Sequence, residues 1–264
     1  MSAEGVVSVV STTPAGRVGA LARAELTLFG RSKGMIVSAV FVPLVLPFSV
    51  RAAVEDMDLA GSGLNAGLVL LPGAVGFSLL FAVYASLIGV FVGRREELVL
   101  KRLRTGELRD REILAGSALP AVVTGLVQSV LLAVGCAVLL DMPAPKAPQL
   151  AVIGLGLGLF MCAALGAVTA GFTRTVESAQ VTGMPLMLIS FVGSGITVPL
   201  ELLPDRVASF LELLPMSPVI TLVRGGWSGE LSVYETVGPV LTALAWSVVA
   251  VFAVRRWFRW EPRR

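Results

Sequence analysis

The chain of 264 residues is 55% hydrophobic and 15% charged, with a mean hydropathy of +0.85 and a formal net charge of +3. Soluble domains carry about 25% charged residues, so this composition excludes a soluble globular protein and indicates a polytopic membrane protein. Histidine is absent, and the two cysteines, Cys136 and Cys162, both lie inside apolar runs. These features argue against histidine-dependent catalysis, a metal site and a disulfide.

The N-terminal 33 residues precede the first membrane-length apolar run and show no cleavable signal peptide. Residues 17–31 predict a short helix, with Val18, Leu21 and Leu28 able to share one face. Such a helix either lies in the plane of the membrane interface or simply extends the first span. We therefore predict a cytoplasmic N-terminal tail with an interfacial helix over residues 1–33.

Six apolar stretches are long enough to cross a bilayer, which takes about 20 apolar residues. They cover residues 34–50 (extending to 54 at most), 64–93, 113–140, 149–172, 179–199 and 231–254. The second stretch is long, so it is either tilted or begins after Pro72-Gly73. We therefore predict an all-α polytopic membrane protein, with a six-span domain over 34–254 and a basic C-terminal tail over 255–264.

The stretch 200–230 has apolar residues at helical spacing but is too short to span, and Pro204 and Pro215 bound its first part. We predict a short helix or helical hairpin that lies at or dips into the outer leaflet. Such a segment is tolerated there only where neighbouring protein satisfies its backbone.

The distribution of lysine and arginine predicts the orientation. Seventeen of these residues fall on the side that holds both termini and loops 94–112 and 173–178, and four (Arg51, Lys146, Arg206 and Arg224) fall on the other. Because cytoplasmic loops are enriched in these residues, both termini and both loops are predicted to be cytoplasmic. The basic charge is explained by orientation and not by nucleic-acid binding. Arginine outnumbers lysine 18 to 3, as in GC-rich bacterial genomes, which favours a bacterial cell membrane.

Residues 94–112, hereafter the charged island, separate the second and third predicted spans. The island holds seven basic and five acidic residues, with Leu98, Leu103 and Leu108 among them. Basic residues are enough to place a loop on the cytoplasmic side, so the interleaved acids and the leucines are not explained by membrane orientation. The pattern favours a docking surface for a partner, and the alternative is a solvated loop that only sets orientation.

The sequence lacks the parts that would power transport by itself. There is no Walker A motif, and the six predicted spans carry no ionisable residue away from their ends. Ion-coupled transporters usually bury such residues as relays, so a secondary transporter is disfavoured. Gln128 is the clearest strongly polar side chain deep in a span, where it either lines a pathway or bonds to a neighbouring helix.

Bulky apolar side chains recur on two predicted spans. Phe77, Phe81, Tyr84 and Phe91 lie on related faces of the second span, and Met184, Met187 and Phe191 do so on the fifth. Such surfaces either admit a bulky apolar solute or pack as core. Gly89-x-x-x-Gly93 and Gly154-x-x-x-Gly158 permit close helix approach, either within the chain or in a dimer.

The island resembles the first cytoplasmic loop of ABC-2 type permeases, in which an acidic-basic run is followed by a Leu-Lys-Arg-Leu stretch and a Glu-Ile-Leu entry into the third span. The matching residues are Lys101, Arg102, Leu103, Thr105, Leu108, Glu112, Ile113 and Leu114. Two departures are Glu107, at the usual proline position, and Ser117, where lysine is common. A second resemblance lies in Pro199-Leu200-Glu201 and Pro204, followed by Leu214-Pro215, Pro218, Leu222 and Arg224, which is similar to the extracellular re-entrant segment of that family.

The resemblance implies the membrane half of an exporter, closest to drug- and antibiotic-export permeases of actinomycetes. In such exporters two permease copies, or two related permeases, pair with separate ATPase subunits that bind ATP and Mg²⁺. This chain would then be non-catalytic and hold no cofactor. The resemblance places the ATPase contact on a coupling helix formed by Glu96, Glu97, Lys101, Arg102, Leu103, Arg104 and Thr105.

On this reading a hydrophobic or amphipathic solute (a drug, antibiotic, lipid or peptide) leaves the cell along a dimer interface lined by the second and fifth spans. The candidate pathway residues are Phe77, Phe81, Tyr84, Gln128, Met184, Met187 and Phe191. Two other functions stay open: a non-transporting membrane immunity or scaffold protein, and a secondary transporter.

Overall fold

A computed structural model of the chain describes residues 13–31, 66–195 and 204–262. Within these ranges every regular element is a helix, which confirms the all-α prediction. Three predicted segments lie outside the described residues: the first span (34–54), the end of the fifth span (196–199), and Pro199-Leu200-Glu201 of the stretch that resembles the re-entrant segment.

The described residues form nine helices. They are α1 (Pro14–Arg31), α2 (Ala66–Ser78, Leu79–Ala85 and Ser86–Glu96 in one run), α3 (Val99–Arg104), α4 (Asp110–Leu139), α5 (Pro148–Phe172), α6 (Ala179–Gly193), α7 (Asp205–Leu211), α8 (Ser217–Ser228) and α9 (Val233–Trp257).

Four of these helices, α2, α4, α5 and α9, are long and apolar enough to cross a membrane. Their bounds follow the predicted second, third, fourth and sixth spans closely. α6 has 15 residues and covers the first part of the predicted fifth span. α2 begins at Ala66, so Pro72 lies inside the helix and not ahead of it. α2 also continues to Glu96, which makes the first residues of the charged island its last turn.

The centre of the fold is α2, whose middle is π-helical from Leu79 to Ala85. Most π-helical segments are single turns inside α-helices, so this segment of seven residues is unusually long. Glycines of the neighbouring helices allow this wider segment to fit. A Cβ at Gly125 of α4 would lie 2.5 Å from Val83 Cγ2, and one at Gly166 of α5 would lie 3.0 Å from the Tyr84 carbonyl oxygen.

The predicted hairpin region contains α7 and α8. The turn between them is fastened by Ser217, whose hydroxyl donates to the Leu211 carbonyl at 2.5 Å. α8 has 12 residues and packs against α2, α5 and α9, with Val219 and Leu222 fully buried. Ideal Cβ atoms at Gly154 and Gly158 would come within 2.8 Å of these two side chains. The Gly154-x-x-x-Gly158 motif therefore packs helices within the chain.

Segments that the charge distribution assigned to one side of the membrane lie together at one end of the helix bundle. Arg17 of α1 bonds to Glu112 at the start of α4. Arg95 at the end of α2 bonds to the Thr173 carbonyl after α5, and Lys101 of α3 pairs with Glu261 beyond α9. This end of the bundle is therefore built from the N-terminal helix, the charged island, the loop after α5 and the C-terminal segment.

Candidate functional site

The charged island folds around α3, which is held tightly between two long helices. After α2 ends, Leu98 adopts a left-handed backbone conformation with φ of 59°, so the chain reverses sharply. The α3 helix then carries the fully buried Leu100 inward. A left-handed backbone is uncommon outside glycine, asparagine and aspartate, so tertiary contacts around Leu100 compensate for it.

The seven residues of the predicted coupling helix are clustered on α3 and its flanks. Six of them are exposed, Leu103 is half-buried, and Thr105 closes the helix by donating its hydroxyl to the Arg102 carbonyl at 2.8 Å. The exposed members are Glu96, Glu97, Lys101, Arg102, Arg104 and Thr105. The island thus presents six exposed polar or charged side chains on and beside a helix whose Leu100 is fully buried.

The C-terminal segment (residues 258–262) adds to this surface, which the sequence did not predict. Lys101 Nζ lies 2.9 Å from Glu261 Oε1, and the Arg104 guanidinium lies 5.0 Å from the centre of the Trp260 ring. Arg104 Nε also lies 3.0 Å from Asp110 Oδ1. A groove of about 650 Å³ runs between α3 and this segment. Trp260 and Glu261, which stand among the arginines of the C-terminal tail, are the sequence signals that could have indicated this contact.

Arg95 of the island is buried and joins two helices. Its side chain is 1% exposed, and its guanidinium donates to the carbonyls of Ala170 at 2.9 Å and Thr173 at 2.5 Å. These carbonyls belong to the last turn of α5 and its cap, where helix ends leave acceptors unsatisfied and carry partial negative charge. The arginine therefore locks the end of α2 to the end of α5.

Glu112 anchors α1 to the start of α4. Arg17 contacts both of its carboxylate oxygens, at 3.0 and 3.2 Å, and the backbone N–H of Arg109 donates to it at 2.9 Å. The hydrogen bond to this carboxylate raises the pKa of the Arg17 guanidinium. Beside the pair, an ideal Cβ at Gly116 would lie 2.6 Å from Leu21, so α1 packs closely on α4.

The predicted pathway residues are distributed over two environments. Three aromatic rings meet between α2 and α6: Phe77 and Phe81 stack at 4.4 Å between ring centres, and Phe191 meets Phe77 edge-on at 5.3 Å. Phe81 is 40% exposed and Met184 is 55% exposed, whereas Met187 packs against the core. The structure therefore brings Phe77 and Phe81 of the second predicted span together with Phe191 of the fifth in one aromatic cluster.

Tyr84 and Gln128 are instead fully buried between helices. The Tyr84 hydroxyl lies 3.0 Å from Thr169 Oγ1 of α5 and donates to the Gly183 carbonyl of α6 at 3.4 Å. Gln128 Oε1 accepts a hydrogen bond from the Ser78 hydroxyl of α2 at 2.6 Å. In this conformation both side chains join helices, which is one of the two roles that the sequence left open for Gln128.

Among the described residues, four apolar helices long enough to cross a bilayer, with a charged loop between the first two of them, define a multi-pass membrane protein. The profile of the ABC-2 type transporter family matches residues 17–227, and the chain belongs to that family. It is therefore a membrane permease component of ABC-type transport. No curated protein matches the chain significantly.

Proposed function

We propose that this chain is the membrane-spanning subunit of an ATP-driven exporter and that the surface of α3 is where a separate ATPase docks. The cargo is a hydrophobic or amphipathic solute, such as a drug, antibiotic, lipid or peptide. ATP and Mg²⁺ are bound by the ATPase, and this chain contributes no cofactor site. The complex lies in a bacterial cell membrane, with the charged island in the cytoplasm.

The observation that carries the proposal is the anchoring of α3. A docking element can transmit force only when it is stiffly joined to the helices that must move. Leu100 is fully buried beneath α3, and Arg104 ties the helix to Asp110 at the start of α4. On the preceding side, Arg95 ties the end of α2 to α5. Movement of α3 would therefore move three membrane helices together.

The charges of the exposed surface suit a protein partner. The acids Glu96 and Glu97 lie just before α3, whose exposed charged residues are basic, so the surface carries both signs. Mixed charge of this kind favours register and selectivity in a protein interface more than raw affinity. Arg102 is exposed and makes no ion pair among the described residues, so its guanidinium is free to meet a partner carboxylate.

The translocation path lies, on this proposal, between two permease copies or between this chain and a related permease. The α6 helix carries an exposed apolar stripe at helical spacing, next to the aromatic cluster of Phe77, Phe81 and Phe191. The stripe consists of Val181, Met184, Leu188 and Val192. An apolar interface with mobile methionine and stackable rings accommodates bulky solutes of varied shape.

The test is charge reversal at Arg102 in the intact complex. We expect Arg102→Glu to abolish most ATP-driven efflux in vesicles and to weaken co-purification of an ATP-binding subunit. The matched control is Arg256→Glu, an exposed arginine at the same end of the bundle but on α9. Full efflux by Arg102→Glu would contradict the docking role. Two outcomes for the wild-type chain would favour the other functions. Efflux that does not depend on ATP but follows the proton gradient would indicate a secondary transporter. A folded wild-type chain that supports no efflux would indicate a scaffold or immunity protein.

A further inference from the structure

A second cavity opens beside the membrane helices at the same end of the bundle. It measures about 880 Å³ and lies between α4 and α9, with α5 as its floor. Its volume is within the range of about 300–1,000 Å³ that is usual for small-molecule sites. Both α4 and α9 pack on α5, and the space between them forms a groove that contains none of the predicted pathway residues.

The groove has a charged mouth and an apolar body. Three arginines, Arg109, Arg111 and Arg255, line the mouth together with Asp110. Asp110 is already paired with Arg104, so the mouth is strongly positive. Among the described residues, Arg111 and Arg255 form no ion pair. Deeper in the groove the lining is apolar and combines leucine, valine and phenylalanine side chains with small residues such as Ala118 and Ala163.

The length of the groove matches one leaflet of a bilayer. On α4 the lining runs from Arg111 to Val122, and on α5 it runs from Ala167 to Gly156. Each run covers twelve residues, and the eleven rises between its ends amount to about 16 Å in an α-helix. Half the hydrocarbon thickness of a bilayer is about 15 Å. The charged mouth then lies at headgroup depth and the apolar end near the midplane.

Aromatic residues close the mouth at the same depth. Phe258 packs edge-on against Phe91 of α2, with ring centres 5.8 Å apart, and against Trp260 at 5.1 Å. Trp260 lines the groove as well as the surface near α3. Tryptophan is enriched at headgroup level, and basic pockets between membrane helices on the cytoplasmic side suit anionic headgroups.

We propose that this groove binds an anionic phospholipid of the leaflet next to the charged island, with the phosphate between Arg111 and Arg255 and an acyl chain along α5. This site is separate from the proposed solute path between α2 and α6. It also does not require the ATPase partnership, so either proposal can fail alone.

The test uses the full-length chain in vesicles of unbrominated phosphatidylcholine. One lipid with brominated acyl chains is added to them, either phosphatidylglycerol or phosphatidylcholine. Bromine quenches tryptophan fluorescence on contact, and the difference between wild-type and Trp260→Phe isolates the signal of Trp260. We expect brominated phosphatidylglycerol to quench this signal at a lower mole fraction than brominated phosphatidylcholine. Each of Arg111→Gln and Arg255→Gln should reduce that preference about fivefold.

Matched controls separate a built site from general attraction to a basic surface. Arg256→Gln changes the neighbouring exposed arginine, which does not line the groove, and should keep the preference. Gly156→Leu should remove it by filling the groove, since a Cβ there meets no atom within 4 Å and the variant should fold. Gly238→Leu, equally unobstructed but outside the groove, should leave it intact. Equal quenching by both lipids, equal loss in Arg256→Gln, or a full preference in Gly156→Leu would overturn the proposal.

Discussion

Arg17 of α1 binds Glu112 of α4 through both carboxylate oxygens, at 3.0 and 3.2 Å, across 95 positions of sequence. The arginine is 17% exposed and the glutamate 4%. Because Glu112 also accepts the Arg109 backbone N–H, one carboxylate both caps α4 and holds α1 against it. This contact joins the N-terminal helix to the end of the bundle that carries the charged island.

The Arg17–Glu112 contact predicts strong coupling in a double-mutant cycle. Arg17→Met should lower the thermal midpoint of the purified chain by several degrees. The same change should have much less effect in a Glu112→Gln background. There the amide oxygen can still accept the Arg109 backbone N–H, but the carboxylate charge that binds Arg17 is gone. The control is Arg23→Met, an exposed arginine on the same helix, which should leave the midpoint unchanged. Additive effects of Arg17→Met and Glu112→Gln would mean that the two side chains do not interact.

Arg95 is expected to be the most important arginine of the island for stability. Arg95→Met should cost about 3 kcal/mol, because it removes charge-assisted hydrogen bonds to carbonyls at the end of α5. Arg95→Lys should recover part of the loss, since one ammonium reaches fewer of these acceptors than a guanidinium. Denaturant unfolding of purified protein measures the effect. Arg102→Met, an exposed change in the same island, should stay within about 0.5 kcal/mol, and a similar cost for both would contradict the buried role of Arg95.

The buried pair of Ser78 and Gln128 is expected to act as a link between α2 and α4. Ser78→Ala and Gln128→Leu should show a coupling energy of about 1 kcal/mol, as is typical of hydrogen bonds between membrane helices. Neither change should alter which solutes are exported. A change in solute preference without any loss of stability would show instead that Gln128 contacts the cargo.

Two glycines of α5 are predicted to respond oppositely to the same substitution. A Cβ at Gly158 would lie 2.8 Å from both Leu79 Cδ1 and Val219 Cγ1, whereas one at Gly156 meets nothing within 4 Å. Gly158→Ala should therefore destabilise the chain by about 1–3 kcal/mol through overpacking. Gly156→Ala should be neutral or slightly stabilising, because alanine favours the helix. Equal unfolding midpoints for the two variants would show that α2, α5 and α8 are not packed this closely.

The membrane helices could be predicted from sequence because their apolar runs are long and clearly bounded. The fourth predicted span, 149–172, differs from α5 by one residue, since Pro148 begins the helix and Thr173 follows it. The aromatic cluster was partly predictable too. Phe77 and Phe81 lie four positions apart and must share a helix face. Their contact with Phe191 required the packing of α6 against α2, which no local pattern specifies.

The features that were missed depend on contacts between distant segments. Arg94 and Arg95 are equivalent in local sequence, and only the nearby end of α5 distinguishes the buried one. The π-helical middle of α2 depends likewise on glycines of α4 and α5. Folding of Trp260 back onto Arg104 follows from the direction in which the chain leaves α9, which the basic tail did not indicate.

Site-directed cross-linking from α3 is the most direct test of the proposed docking surface. Cys136 and Cys162 are the only cysteines of the chain and both are buried, so a single introduced thiol is selectively accessible. A photoactivatable cross-linker on Arg102→Cys should capture an ATP-binding subunit in intact membranes. The same reagent on Tyr234→Cys, which is 89% exposed at the start of α9, should not. Export-competent membranes in which Arg102→Cys captures no ATP-binding protein, or in which Tyr234→Cys captures it equally well, would contradict the proposal that α3 couples this permease to its ATPase.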